Sequence, residues 1–90
     1  MTAAPVDGAP DLEGSEPLRL DLRGLNCPLP VLKTRRALAR LAPGARVLVE
    51  ATDPMSAIDL PHFCAESGHR LVDRATDGPV LRFLVEKGAG

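Results

Sequence analysis

The side chain best equipped for chemistry is the cysteine in Gly24-Leu25-Asn26-Cys27-Pro28-Leu29-Pro30. A thiolate is a nucleophile and a thiol is not, so the surroundings of the sulfur decide its use. Cys27 falls between an apparent strand end and an apparent helix start. If Pro28 is the first helical residue, Cys27 is the N-cap and its sulfur meets the positive end of the helix dipole. That placement predicts a lowered pKa and a larger thiolate fraction. Pro28 and Pro30 fix φ in the first turn, where a missing N–H has no partner to lose, and so stiffen the backbone under the sulfur. The amides of Leu29 and Val31 remain as donors. The expected group is an exposed, rigid, moderately acidic thiol open to another protein.

The remaining chemistry-bearing residues read as structural or supporting. Cys64 shares a helical stripe with Ala57, Leu60, Pro61 and Gly68, which suits a helix packed on a sheet, so it is expected in the core. His62 and His69 match no zinc-ligand spacing with the two cysteines, and no metal or cofactor site is expected. His69 reads as a surface or capping residue. Asp53 and Asp59 read as helix caps rather than catalytic acids, and Met55 as core or rim packing. Lys33, Arg36 and Arg40 share one helix face, which is either a solvated stripe or a docking surface beside Cys27 for an acidic partner. Arg23 and Arg35 add positive charge near the thiol without an assigned role. No general-base constellation is visible.

The elements that must position these residues follow from periodicity. "LRLDL" (18–22) alternates apolar and polar as a half-buried strand, and "ARVLVEA" (45–51) is apolar enough to be central in a sheet. "PLPVLKTRRALARL" (28–41) places Val31, Thr34, Leu38, Leu41 and Ala42 on one helical arc, and Pro43-Gly44 stops it. A second helix lies within 52–69, with Asp53 as cap, Pro54 in the first turn and Gly68 as the stop. Pro61 removes a donor mid-helix, so a turn over 54–58 and a helix restarted at an Asp59 cap is the preferred arrangement over a kink. "RLVDRA" (70–75) and "VLRFLVE" (80–86) form a hairpin through Thr76-Asp77-Gly78-Pro79, and "KGAG" is a fraying tail. The order βαβαββ predicts a two-layer α/β (α+β) sandwich, with a four-stranded mixed sheet, both helices on one face and a right-handed parallel crossover.

Composition bounds the rest. Ninety residues allow one domain with a small core. With two Phe and no Trp or Tyr, that core is aliphatic, and stacking platforms for single-stranded nucleic acid are absent. The net charge of −1 conceals an acidic leader: residues 1–17 hold Asp7, Asp11, Glu13 and Glu16 without a basic residue, and the remainder has eleven basic against eight acidic residues. That mild positive balance suits an acidic protein surface better than a nucleic acid duplex. The leader is rich in Pro, Gly, Ala and acids and is expected to be disordered, with the folded domain over 18–88. It has no basic start or apolar stretch of a signal peptide, and no run is long enough to span a membrane. The expected compartment is cytoplasmic, where a structural disulfide is not expected.

The segments "LDLRGLNCPLPVLKTRRAL" and "DPMSAIDLPHFCAESGHRLV" closely resemble the TusA family of small sulfur-carrier proteins, also called SirA-like, across about residues 18–88. The hallmark Cys-Pro-x-Pro stands here as Cys27-Pro28-Leu29-Pro30. The resemblance implies a two-layer sandwich and a sulfurtransferase whose Cys27 carries sulfane sulfur as a persulfide. It also implies a cysteine desulfurase or other sulfur donor protein as one partner and a downstream acceptor protein as the other, toward tRNA thiolation, cofactor assembly or sulfur metabolism. Members of the tRNA pathway have Arg before the cysteine and Glu between the prolines, where this chain has Asn26 and Leu29. The alternative is a regulatory module in which Cys27 senses redox state.

Overall fold

The computed structural model describes residues 16–89. The expected acidic leader lies outside the described residues except for Glu16 and Pro17. Six elements follow one another: β1 (Leu18–Leu22), α1 (Leu29–Ala39), β2 (Arg46–Ala51), α2 (Ser56–Ser67), β3 (Arg70–Asp77) and β4 (Val80–Glu86). The sheet runs β1-β2-β4-β3, with β1 parallel to β2 and the other pairs antiparallel. This is the expected βαβαββ mixed sheet.

Alternation sets the two faces. Leu22, Val47, Val49, Ala51, Phe83 and Val85 are buried and meet Leu38 of α1 and Leu60, Phe63 and Cys64 of α2 in one core. The opposite face is held by ion pairs instead. Glu50 bridges Arg19 and Arg82, and Glu86 bridges Arg46 and Arg70. These guanidinium groups hold the Glu50 and Glu86 carboxyls below their ordinary range.

Three expectations are corrected here. First, α2 is one unbroken helix containing Pro61, with no restart at Asp59. Proline at 61 cannot donate to the carbonyl four residues earlier. That carbonyl, Ala57 O, instead accepts from Arg74 Nη2 of β3 at 3.3 Å, so a cross-element guanidinium replaces the missing helical bond. Second, β3 runs through Asp77, leaving only Gly78 and Pro79 as the hairpin turn. Third, the tail does not fray at once. Lys87 N–H donates to Ala45 O, Gly44 N–H to Lys87 O, and Lys87 Nζ to Leu38 O near the end of α1. Gly88 packs so close to Gly68 O that a Cβ has no room. Gly68 itself ends α2 in the left-handed conformation at φ 77°, as expected.

His69 is part of that tail contact rather than a surface residue. Its Nδ1 accepts from Gly88 N–H at 3.0 Å, and its ring lies 5.6 Å from that of Phe63. Burial, then the charge of Lys87, pushes its pKa below the ordinary 6.5. A depressed histidine stabilises the fold while neutral. The contribution is fully present above about 6.5, the unfolded value, and is lost as pH falls through the folded value. The paired carboxylates titrate lower, so the two effects separate. We expect urea melts to weaken between about pH 7 and pH 5 in the wild type. His69→Gln keeps an acceptor for Gly88 but cannot titrate. A slope unchanged in this variant would remove His69 as its source.

Candidate functional site

The parallel pairing assembles the site. Leu22 pairs with Ala51 at the ends of β1 and β2, so the chain leaves both strands side by side. The two following loops, 23–28 and 52–55, are therefore neighbours, and both helices start from this edge, where open α/β sheets collect ligands. The first loop turns through Gly24, at φ 84°, whose N–H donates to Thr52 Oγ1 at 2.9 Å. Arg23 is taken up locally: its guanidinium grips Asp21 at 2.8 and 3.0 Å and holds that carboxyl down to about 2.

Cys27 comes next and is exposed, as expected. Its N–H donates to Asp53 Oδ2 at 2.6 Å, while Asp53 Oδ1 accepts from Met55 N–H at 3.1 Å. Asp53 thus does cap-like work on the turn before α2, but its other oxygen pins the cysteine backbone. That second role is not legible from an Asp-Pro dipeptide.

The helix start differs from expectation. Pro28 is the N-cap of α1, Leu29 the first helical residue, and Pro30 the second, buried against the core. Cys27 therefore stands one residue before the cap, and the Cys27–Pro28 peptide bond is cis. The expected acidic thiol is also corrected. Sγ donates to Asp59 Oδ2 at 3.2 Å. That hydrogen bond, then partial screening from water and the negative charges of Asp59 and Asp53, raises the Cys27 pKa above the ordinary cysteine value. A carboxylate in contact outweighs a dipole end that begins two residues further on.

The helix starts that follow the two loops carry exposed apolar side chains. Leu29 and Leu32 on the first turns of α1, and Met55 and Ile58 at the start of α2, are all large and exposed. Met55 is thus rim and not core. Beside them a groove of about 290 Å³ between the helices is lined by Pro28, Val31, Arg35, Asp59, His62 and Phe63, among others. Arg35 lies over the Phe63 ring at 5.5 Å, and His62 faces Glu66 at 3.8 Å on the exposed side of α2.

Lys33, Arg36 and Arg40 are exposed along α1, and none joins an ion pair among the described residues. Cys64 is buried in the core at 2% exposure, where burial raises its pKa. It is not brought to Cys27.

Comparison with known proteins bears on the family and the fold. A family model described as sulfurtransferase TusA matches residues 18–87. The fold is similar to the crystal structure of a SirA-like protein from Desulfitobacterium hafniense, with a TM-score of 0.71 and 26% sequence identity, over 79% of this chain and 97% of that one.

Proposed function

This chain belongs to the TusA sulfurtransferase family, and from that membership we propose that Cys27 carries sulfane sulfur as a persulfide between two proteins. In loading, the Cys27 thiolate attacks the outer sulfur of a donor persulfide. A bond forms between Sγ and that sulfur, the donor's S–S bond breaks, and the donor's inner sulfur leaves as a thiolate. In delivery, an acceptor thiolate attacks the sulfur now outermost on Cys27, and Sγ leaves in turn. Exchange of this kind needs access, a thiolate and a leaving group, and no metal or general base.

The observation that carries the reading is the exposed Cys27 of the Cys-Pro-x-Pro segment, at the sheet edge from which both helices start with the exposed apolar side chains Leu29, Leu32, Met55 and Ile58 in their first turns. Exposed apolar side chains at the edge that carries a reactive atom suit brief burial against a partner. Pro28 and Pro30 follow the cysteine and stiffen the start of α1 as support. Lys33, Arg36 and Arg40 continue along the same helix as a docking stripe for an acidic partner surface. A cysteine desulfurase is the proposed donor and a thiol-bearing protein in the cytoplasm the proposed acceptor, in tRNA thiolation, cofactor assembly or sulfur metabolism. The redox-sensor reading draws less support, because sensor thiols are often placed near a resolving cysteine, whereas Cys64 is sealed in the core.

Incubation with a cysteine desulfurase and cysteine, followed by intact mass and peptide mapping, tests the proposal. We expect a gain of one sulfur, reversed by reductant and mapped to Cys27. A sulfenic acid or mixed disulfide at Cys27, with no added sulfur, would count for the sensor instead.

A further inference from the structure

The carboxylate of Asp59 touches the reacting sulfur, and the family's chemistry as described above gives it no task. Its Oδ2 lies 3.2 Å from Cys27 Sγ. It is half-buried in the first turn of α2, across the groove from α1. We propose that Asp59 is a positioning residue for Cys27, holding the empty carrier as a protonated thiol of fixed direction and shielding it from unselective electrophiles and oxidants. The inference rests on the carrier reading for its purpose and not for its chemistry.

The groups facing Cys27 bear this out. Asp53 reaches the cysteine from the loop before α2 and adds a second negative charge. Arg35, His62 and Glu66 share the groove with Asp59, but Arg35 is stacked on Phe63 and His62 faces Glu66. Arg23, on the cysteine's own loop, is held by Asp21. Among the described residues no cationic side chain forms an ion pair or hydrogen bond with Asp59 or Asp53. The charges that act on the thiol are those of Asp59 and Asp53, in keeping with its raised pKa. A thiol so held reacts slowly with reagents that need a thiolate. It also keeps its S–H bond aligned with one acceptor, so Sγ does not swing freely between rotamers.

Alkylation of the full chain by iodoacetamide across a range of pH tests this directly. The wild-type profile should have its midpoint above that of an unstructured cysteine peptide. Asp59→Asn should move the midpoint down and speed alkylation several-fold at neutral pH, while Asp59→Glu should stay close to wild type. A second reading uses a pair of methanethiosulfonate reagents, one cationic and one anionic. The cationic reagent should react several-fold faster with wild-type Cys27, and Asp59→Asn should narrow that ratio. Superimposable profiles for wild type and Asp59→Asn would overturn the proposal. So would a wild-type midpoint at or below that of the peptide, a result that does not depend on the variant folding. Because alkylation and disulfide formation report the thiol and not sulfur transfer, a displaced profile without sulfur loading would leave Asp59 in its role and remove the carrier reading.

Discussion

Cys27→Ser should abolish sulfur carriage, and Cys64→Ser should leave it intact. The first half follows from the chemistry: a serine hydroxyl does not ionise near neutral pH and forms no persulfide, so neither acceptance nor delivery survives. The second half follows from burial. Cys64 is 2% exposed within the sheet-facing side of α2, and a donor persulfide cannot reach it without unfolding the helix from the sheet. The cost of Cys64→Ser should appear in stability instead. A hydroxyl in that apolar setting, left without a partner, costs on the order of 1–3 kcal/mol. Intact mass after desulfurase treatment separates the two variants, and urea melts supply the second measurement. Sulfur retained by Cys27→Ser and mapped to Cys64 would relocate the carrier site to α2.

Phe83→Ala should leave the domain close to unfolded. Phe83 is 1% exposed on the central strand β4, opposite Val49, with the Arg74 guanidinium 5.7 Å from its ring. It is one of only two phenylalanines in the chain, and the other, Phe63, is already packed in the same core. Truncation of a buried Phe costs about 3–5 kcal/mol. A domain of this size has a total stability of about 4–10 kcal/mol. The midpoint of thermal unfolding should fall by about 12 °C or more. Loss of only a few degrees would mean that the core collapses around the gap. Phe83→Leu, which retains most of the volume, should cost far less.

The architecture was legible because each strand and helix declares its period. Leu18, Leu20 and Leu22, and Val47 and Val49, alternate onto the helix side, and Thr34 and Leu38 repeat at helical spacing. What failed were boundaries that depend on a distant partner. Pro61 argues for a break until Arg74 is seen occupying the carbonyl it strands. Lys87 and Gly88 read as loose until their bonds to residues of other elements are counted. The site divides in the same way. The Cys-Pro-x-Pro segment marks Cys27 locally, and its exposure agrees with the expectation. The helix dipole alone gives the opposite sign for the pKa shift, because it is a local inference. The carboxylate that decides the matter sits 32 residues away, brought in by the fold. Asp53 and Asp59 read as caps in the sequence for the same reason: a cap is what an aspartate near a helix start does when nothing else is known to approach.

The parallel seam between β1 and β2 has one more implication. Thiol and carboxylates hang from different strands, so their spacing is fixed by how those strands are indexed against each other. Sliding β1 by one residue would shift the cysteine loop by about 3.3 Å and at the same time turn Leu18, Leu20 and Leu22 away from the helices. Greasy alternation in the sheet thus works as a vernier for the chemistry at its rim, and errors of alignment there are rejected by oil and water long before any sulfur is involved.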